Sequence, residues 1–187
     1  KSTLQARLLI LLLFTIGVVP AYAQMSALFS ANKTEGCAPL VVQFRDESTG
    51  NPTNWRWDLG NGTVSFLQHP AATYFNPGTY SVKLVVNNGL QSDSIIKTQY
   101  ITVHASPIVN FIASDTGGCF PLRVQFTDLS SPGGGSVSSW LWDFGDGDSL
   151  LTISRAPVQH QYNTTGTFTA CLTAYNAIGC DSTICRD

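Results

Sequence analysis

Hydrophobic and polar residues alternate with a period of two in several short stretches of this chain, and such alternation predicts β-strands. Val41 to Phe44, Trp55 to Trp57 and Tyr80 to Val86 all follow it, separated by clusters of Gly, Pro and Asn. In Tyr80-Ser-Val82-Lys-Leu84-Val-Val86 the even positions are expected to face a core, as are Phe168, Ala170, Leu172 and Ala174 further on. No segment shows the spacing of an amphipathic helix. One stretch departs from the pattern: Leu8 to Val19 is almost unbroken apolar, follows the basic Lys1 and Arg7, and ends at Pro20 and the small-x-small triplet Ala21-Tyr22-Ala23. These features read as an export signal over residues 1–23. The run is shorter than the roughly 20 apolar residues that cross a bilayer, so no membrane span is expected in the mature chain. A chain so exported is secreted or held at the cell surface.

The strand pattern occurs twice. Phe29 to Phe44 matches Phe111 to Phe126 without a gap at an offset of 82, including Gly36-Cys37-Ala-Pro39 against Gly118-Cys119-Phe-Pro121. Trp55-Arg-Trp57-Asp58-Leu-Gly60-Asn61-Gly62 aligns with Trp140-Leu-Trp142-Asp143-Phe-Gly145-Asp146-Gly147 at an offset of 85, after a longer Ser131 to Gly135 loop. Tyr74 to Asn88 aligns with Tyr162 to Asn176 at an offset of 88. A repeat unit of about 80 residues with some seven short strands predicts an all-β chain of two tandem immunoglobulin-like β-sandwiches. The modules are expected at 25–104 and 107–187, the second read as cut short at its C-terminus. Trp57 and Trp142 should fill the two cores, with Phe44, Phe126, Tyr80 and Phe168 around them. Trp55 and Trp140 are expected either as lids on the cores or as part of a contact patch.

The Trp-x-Trp-Asp-[Leu/Phe]-Gly-[Asn/Asp]-Gly run, the upstream Cys-x-Pro-Leu-x-Val-Gln-Phe and the downstream Tyr-x-x-x-Gly-Thr-[Tyr/Phe]-x-[Val/Ala]-x-Leu resemble the PKD (polycystic kidney disease) domain in both copies. The Gly-Cys-x-Pro variety and Gly179 to Ser182 are similar to versions in large surface proteins of the Bacteroidetes. The resemblance implies extracellular arrays that act in adhesion or that accompany secreted hydrolases. The first copy departs from the family at Leu59 and Asn61, where Phe and Asp are usual, which weakens a metal reading there.

Composition narrows the partners. Charged residues make up 12% and the net charge is −2, so the chain lacks the basic surface that a nucleic-acid backbone requires. His69, His104 and His160 are scattered and belong to no nucleophile or metalloprotease motif, and the chain is read as no enzyme and as needing no cofactor. Asp143, Asp146 and Asp148 form a carboxylate cluster dense enough to be calcium candidates. A turn whose Asp side chains accept from nearby amides is the favoured reading, because the first copy keeps one carboxylate there and should fold alike.

Five cysteines behind an export signal point to disulfides, with one thiol left over in this sequence. In the last hairpin Leu172 faces Ile184, which sets Cys171 opposite Cys185 and makes them the first expected pair. Cys37 and Cys119 lie at one end of their modules and Cys180 at the other. Head-to-tail stacking would then bring Cys37 to Cys180 across the module boundary, leaving Cys119 for a further repeat; the alternative leaves Cys37 and Cys119 free. The expected function is a non-catalytic extracellular spacer or adhesion module that meets an extracellular protein or polysaccharide. Its rival is a substrate-binding accessory module of a secreted protease or glycosidase.

Overall fold

The computed structural model of the chain describes residues 24–187, and the export-signal reading of residues 1–23 lies outside them. The first module contains β1 (Phe29–Ala31), β2 (Glu35–Cys37), β3 (Leu40–Asp46), β4 (Asn54–Asp58), β5 (Val64–Ser65), β6 (Ala71–Tyr74), β7 (Gly78–Asn87) and β8 (Ser92–His104). The second contains β9 (Phe111–Ala113), β10 (Leu122–Asp128), β11 (Val137–Asp143), β12 (Ser149–Thr152), β13 (Val158–Tyr162), β14 (Ala170–Asn176) and β15 (Asp181–Arg186). Each module is two sheets face to face. Sheets β1-β3-β6 and β2-β8-β7-β4-β5 make the first, and β13-β10-β9 and β12-β11-β14-β15 make the second. All pairings are antiparallel except that of β2 with β8.

The alternation read from the sequence is the alternation of burial. β3 buries every second residue from Leu40, and β7 buries Val82, Leu84 and Val86. Two such faces close on one another and remove their apolar side chains from water, which is the main favourable term in folding them. Each core centres on one tryptophan, and the two centres have the same geometry. The Trp57 ring lies 5.2 Å from Phe29 and 5.8 Å from Phe44, and the Trp142 ring lies 5.3 Å from Phe111 and 5.6 Å from Phe126. Tyr80 and Phe168 differ from expectation: both are half-buried at the rim. Each packs on the tyrosine that ends the preceding strand, in the facing sheet, Tyr74 or Tyr162, at 4.7 Å, and the Tyr80 hydroxyl donates to the Asn76 carbonyl at the surface.

The Asp-x-Gly-x-Gly turns after β4 and β11 show why their residues recur. Asp58 Oδ1 accepts from the Gly60 amide and Asp143 Oδ1 from the Gly145 amide, both at 3.0 Å. Asn61 Oδ1 and Asp146 Oδ1 then accept from the amides of Thr63 and Asp148. Gly145 has φ of 78°, and a Cβ there would stand 2.5 Å from the Thr169 carbonyl oxygen, as one on Gly60 would stand 2.3 Å from that of Ser81. Gly145→Ala therefore combines left-handed strain with a backbone clash and is expected to cost about 2–4 kcal/mol. Gly147→Ala, at φ of 102° with open space beside it, is expected to cost clearly less. Urea unfolding of the two variants checks the order.

Asp46 and Asp128 are buried at equivalent places, the last residues of β3 and β10, but their partners differ: Asp128 accepts from Arg155 Nε at 2.9 Å and from the Ser130 amide at 2.9 Å. Asp46 accepts from Trp55 Nε1 at 2.7 Å, Gln68 Nε2 at 3.1 Å and the Ser48 amide at 3.0 Å. Burial raises its pKa, but the bonds from Ser48, Gln68 and Trp55 outweigh burial and hold the carboxyl below the usual range. A depressed folded pKa means stability that is present above the unfolded value, about pH 4, and that is lost as pH falls through the folded value. Below about pH 4 the first module is thus expected to lose stability, and Asp46→Asn to flatten that slope in urea titrations between neutral and acid pH.

Candidate functional site

The module boundary is the most elaborated polar and covalent feature outside the two cores. β8 runs to His104, so only Ala105, Ser106 and Pro107 connect the modules before the Ile108–Ser131 bridge begins the second. β2 lies alongside the end of β8, with Cys37 opposite His104. The Ala38 amide donates to the His104 carbonyl at 3.0 Å, so Cys37 is held at the lower edge of module one. Cys180 comes from the turn between β14 and β15, at the upper edge of module two, and is 1% exposed. Their sulfurs are bonded, with the Cα atoms 5.5 Å apart and a sequence separation of 143.

Asn176 builds the turn that presents Cys180. Its Oδ1 accepts from the amides of Cys180 at 2.9 Å and Ile178 at 3.1 Å. Its Nδ2 donates to the Ala105 carbonyl at 3.0 Å, which ties the turn to the connector. Asn88 builds the same turn in module one, accepting from Leu90 and Gln91, but its Nδ2 donates to Gly50 within its own module. The glycine-rich insertion completes the cradle. A Cβ on Gly133, at φ of 67°, would stand 2.1 Å from the Ser106 carbonyl oxygen, and one on Gly134 2.9 Å from the Ala105 Cβ. Only a loop without side chains at these positions lets the connector lie this close. The sequence shows Ser131 to Gly135 as an insertion and gives no sign that it packs on the connector.

The remaining cysteines occupy one hairpin and one edge. Cys171 and Cys185 are cross-strand partners on β14 and β15 and are bonded, with Cα atoms 4.0 Å apart. Cys119 is exposed and free. It stands in module two where Cys37 stands in module one.

The carboxylate cluster divides. Asp143 is occupied in its turn, whereas Asp146, Asp148 and His160 each offer a ligand atom within 4.8 Å of the others. Asp146 Oδ2 is 2.7 Å from His160 Nε2, and Oδ1 holds the Asp148 amide. Burial raises the Asp146 pKa, but His160 and the Asp148 amide together bring it below the ordinary value. The His160 ring is stacked 4.0 Å above Phe144 and meets Tyr162 edge-on. Both oxygens of Asp146 therefore already serve the protein. The part of His160 has no counterpart in the first copy, where Ala72 aligns, and the sequence pattern alone did not connect it to the aspartates.

All four tryptophans serve the modules' interiors. Trp57, Trp140 and Trp142 are buried, and Trp55 is half-buried against the core with its Nε1 on Asp46. Trp55 and Trp140 are thus lids. Among the described residues the large aromatics that face solvent are phenylalanines: Phe66, Phe75 and Phe120. Among the described residues no helix is long and apolar enough to cross a membrane.

A family model described as PKD domain matches residues 23–103 and again residues 104–186. Human polycystin-1 is 30% identical over 135 residues, which is 68% of this chain and 3% of that protein. The pre-pro-metalloprotease PrtV of Vibrio cholerae is 35% identical over 71 residues, 38% of this chain and 8% of that protein. This chain therefore spans a small part of the length of either relative. Among solved structures, the PKD1 domain of the Vibrio cholerae metalloprotease PrtV superimposes with a TM-score of 0.38 at 26% identity, covering 43% of this chain and 91% of the domain. Fibronectin(III)-like modules of Clostridium thermocellum CbhA give 0.43 at 13% identity, covering 84% and 91%.

Proposed function

The chain belongs to the PKD domain family, with two copies in tandem, and from that premise we propose that it is an extracellular, non-catalytic spacer and adhesion segment of a larger protein. One observation carries the reading: the bond between Cys37 and Cys180 joins two modules across a three-residue connector that Asn176 and the Gly133–Gly134 loop also grip. A covalent tie to the neighbour adds to the stability of each module and, with the grip on the connector, also sets the angle between them. The bond supports an oxidising compartment, outside the cytoplasm or in its export route, as the setting of the chain. Cys119 extends the logic. In an array it makes with a following module the bond that Cys37 makes here. The partner surfaces are the loops at module ends and edges, and the partner is an extracellular protein or polysaccharide.

Small-angle scattering of residues 24–187 tests the spacer. The oxidised chain is expected to show one narrow distribution of inter-module distance, and the reduced chain a broader one. Equal breadth in both would remove the reading. The accessory-module alternative has one observation in its favour, the likeness to a metalloprotease segment. With the tryptophans turned inward, substrate contact would fall to exposed Phe66 and Phe75. Retention on insoluble polysaccharide or collagen that is lost in Phe66→Ser and Phe75→Ser would favour that alternative.

A further inference from the structure

β12 is the edge of its sheet, with β11 on one side and no strand on the other. Its hydrogen bonding follows from the turn that leads into it. The Phe144 amide donates to the Asp148 carbonyl, and the register of Asp143 with Ser149, Trp142 with Leu150 and Leu141 with Leu151 runs on from that bond. Asp148, Leu150 and Thr152 therefore turn their backbone groups toward β11, and Ser149 and Leu151 turn theirs outward. Natural sheet edges are blunted by shortness, lysine, proline or a bulge. β5, the same edge of module one, is blunted by shortness, being Val64–Ser65 alone. β12 reads Ser-Leu-Leu-Thr, without charge or proline, and its register against β11 is unbroken.

The side chains around this edge are apolar in the middle and charged at the ends. On the face away from the core, Leu151 lies beside Leu141 and is 65% exposed, and Ile153 beyond it is exposed still further. Asp146 and Asp148 precede the strand and Arg155 follows it. The side chain of Asp148 is exposed. Arg155 holds Asp128 and the Ser130 carbonyl, yet 59% of its side chain remains in solvent. A parallel neighbour of the same sequence would set like charge against like. An antiparallel one sets the basic end against the acidic end, twice over.

We propose that β12 pairs antiparallel with β12 of a second copy about a two-fold axis at Leu151, joining two four-stranded sheets into one. In that register Leu151 faces its own symmetry mate and exchanges both backbone hydrogen bonds with it, through the groups that β11 leaves free. Centring on Ser149 instead would leave most of the strand unpaired. With Leu151 at the centre, Leu150 faces the mate's Thr152 and Ser149 faces its Ile153. Ile153 of each copy then lies diagonal to Leu151 of the other, so these exposed side chains cover one another. Further out, Asp148 faces Ser154 and Gly147 faces Arg155, which brings Arg155 level with Asp146 and Asp148. A second copy fits because the order acidic, apolar, basic is its own antiparallel complement, whereas a strand of another protein would have to carry the same order independently. The pairing joins the sides of modules, goes beyond the spacer reading and stands whether or not that reading does.

The test uses residues 24–187 with Cys119→Ser, so that no dimer forms through that thiol. Sedimentation equilibrium is expected to show the mass rising with concentration toward twice that of one chain. Leu151→Lys, which puts a charge on an exposed position of the edge, is expected to raise the dissociation constant by about 10-fold or more. Register is read by cysteine cross-linking. Leu151→Cys is expected to form a covalent dimer under mild oxidation, because facing Cα atoms in such a pair stand about 5.5 Å apart. Ser149→Cys is not, because its mate lies about 14 Å away along the strand. Cross-linking of Ser149→Cys as readily as Leu151→Cys would show another register and overturn the proposal. So would a Leu151→Lys chain that associates as tightly as its parent, or a parent chain still monomeric at millimolar concentration, which would leave the edge to a foreign strand.

Discussion

Cys37→Ser is expected to lower the stability of each module in the presence of the other by about 4–5 kcal/mol and to loosen the angle between them. The magnitude follows from chain entropy. With the bond intact, a first module that unfolds alone stays anchored at both Cys37 and the connector, so its chain is a closed loop of several dozen residues; without the bond that loop opens. Because the partner thiol would be left in a site that is 1% exposed, Cys37→Ser with Cys180→Ser is the cleaner variant, and the two should agree. Calorimetry would read the lowered midpoints. Cys171→Ser is the internal control: it opens a loop with a sequence separation of 14, worth about 3 kcal/mol, and should depress the second module while leaving the first in place. A Cys37→Ser chain with unchanged midpoints would show the bond to be ornamental to folding.

Trp57→Ala should have an effect as large, confined to one module. The side chain is wholly buried, touches Phe29 and Phe44, and donates its Nε1 to the Leu67 carbonyl at 2.9 Å. Removing a buried indole leaves a cavity and an unmet carbonyl, and costs about 3–5 kcal/mol for the packing alone. A domain of this size holds a margin of about 5 kcal/mol or little more, so the first module is expected to be largely unfolded near body temperature. Module two has its own centre on Trp142, and its strand amides should keep their exchange protection. Trp57→Phe, which refills most of the space, should restore the first module to within about 1–2 kcal/mol. Loss of protection in both modules together would show that their cores are not separate.

The two sandwiches were legible because their information is local and doubled. Period-two alternation places Val82, Leu84 and Val86 on one face whatever surrounds them, and two copies agreeing at three offsets leave little room for another fold. The Cys171 and Cys185 register could be read the same way, since a short turn sets which residues of a hairpin face each other. The joint resisted reading where its determinants are far apart in sequence. Asn176 reaches Ala105 over 71 positions, and the Ser131–Gly135 insertion matters through where it lies, which no alignment of the two copies encodes because the first copy lacks it. Tyr80 and Phe168 satisfied the alternation but sit at module rims, where the pattern continues after the core has ended. His160 escaped notice for a chemical reason: it joins Asp146 by crossing between sheets, from β13 to the turn after β11.

The sulfur bridge between Cys37 and Cys180 also decides what happens when the chain is pulled from its two ends. Tension entering before residue 37 and leaving after residue 180 passes through the bridge, and residues 38–179 are bypassed. Those residues could otherwise unravel by roughly 500 Å. Only the short outer segments can peel away, β1 and β2 at one end and β15 at the other, the latter checked again by Cys171 and Cys185. A tether built this way is nearly inextensible while oxidised, and reduction turns the same polypeptide into a long elastic one.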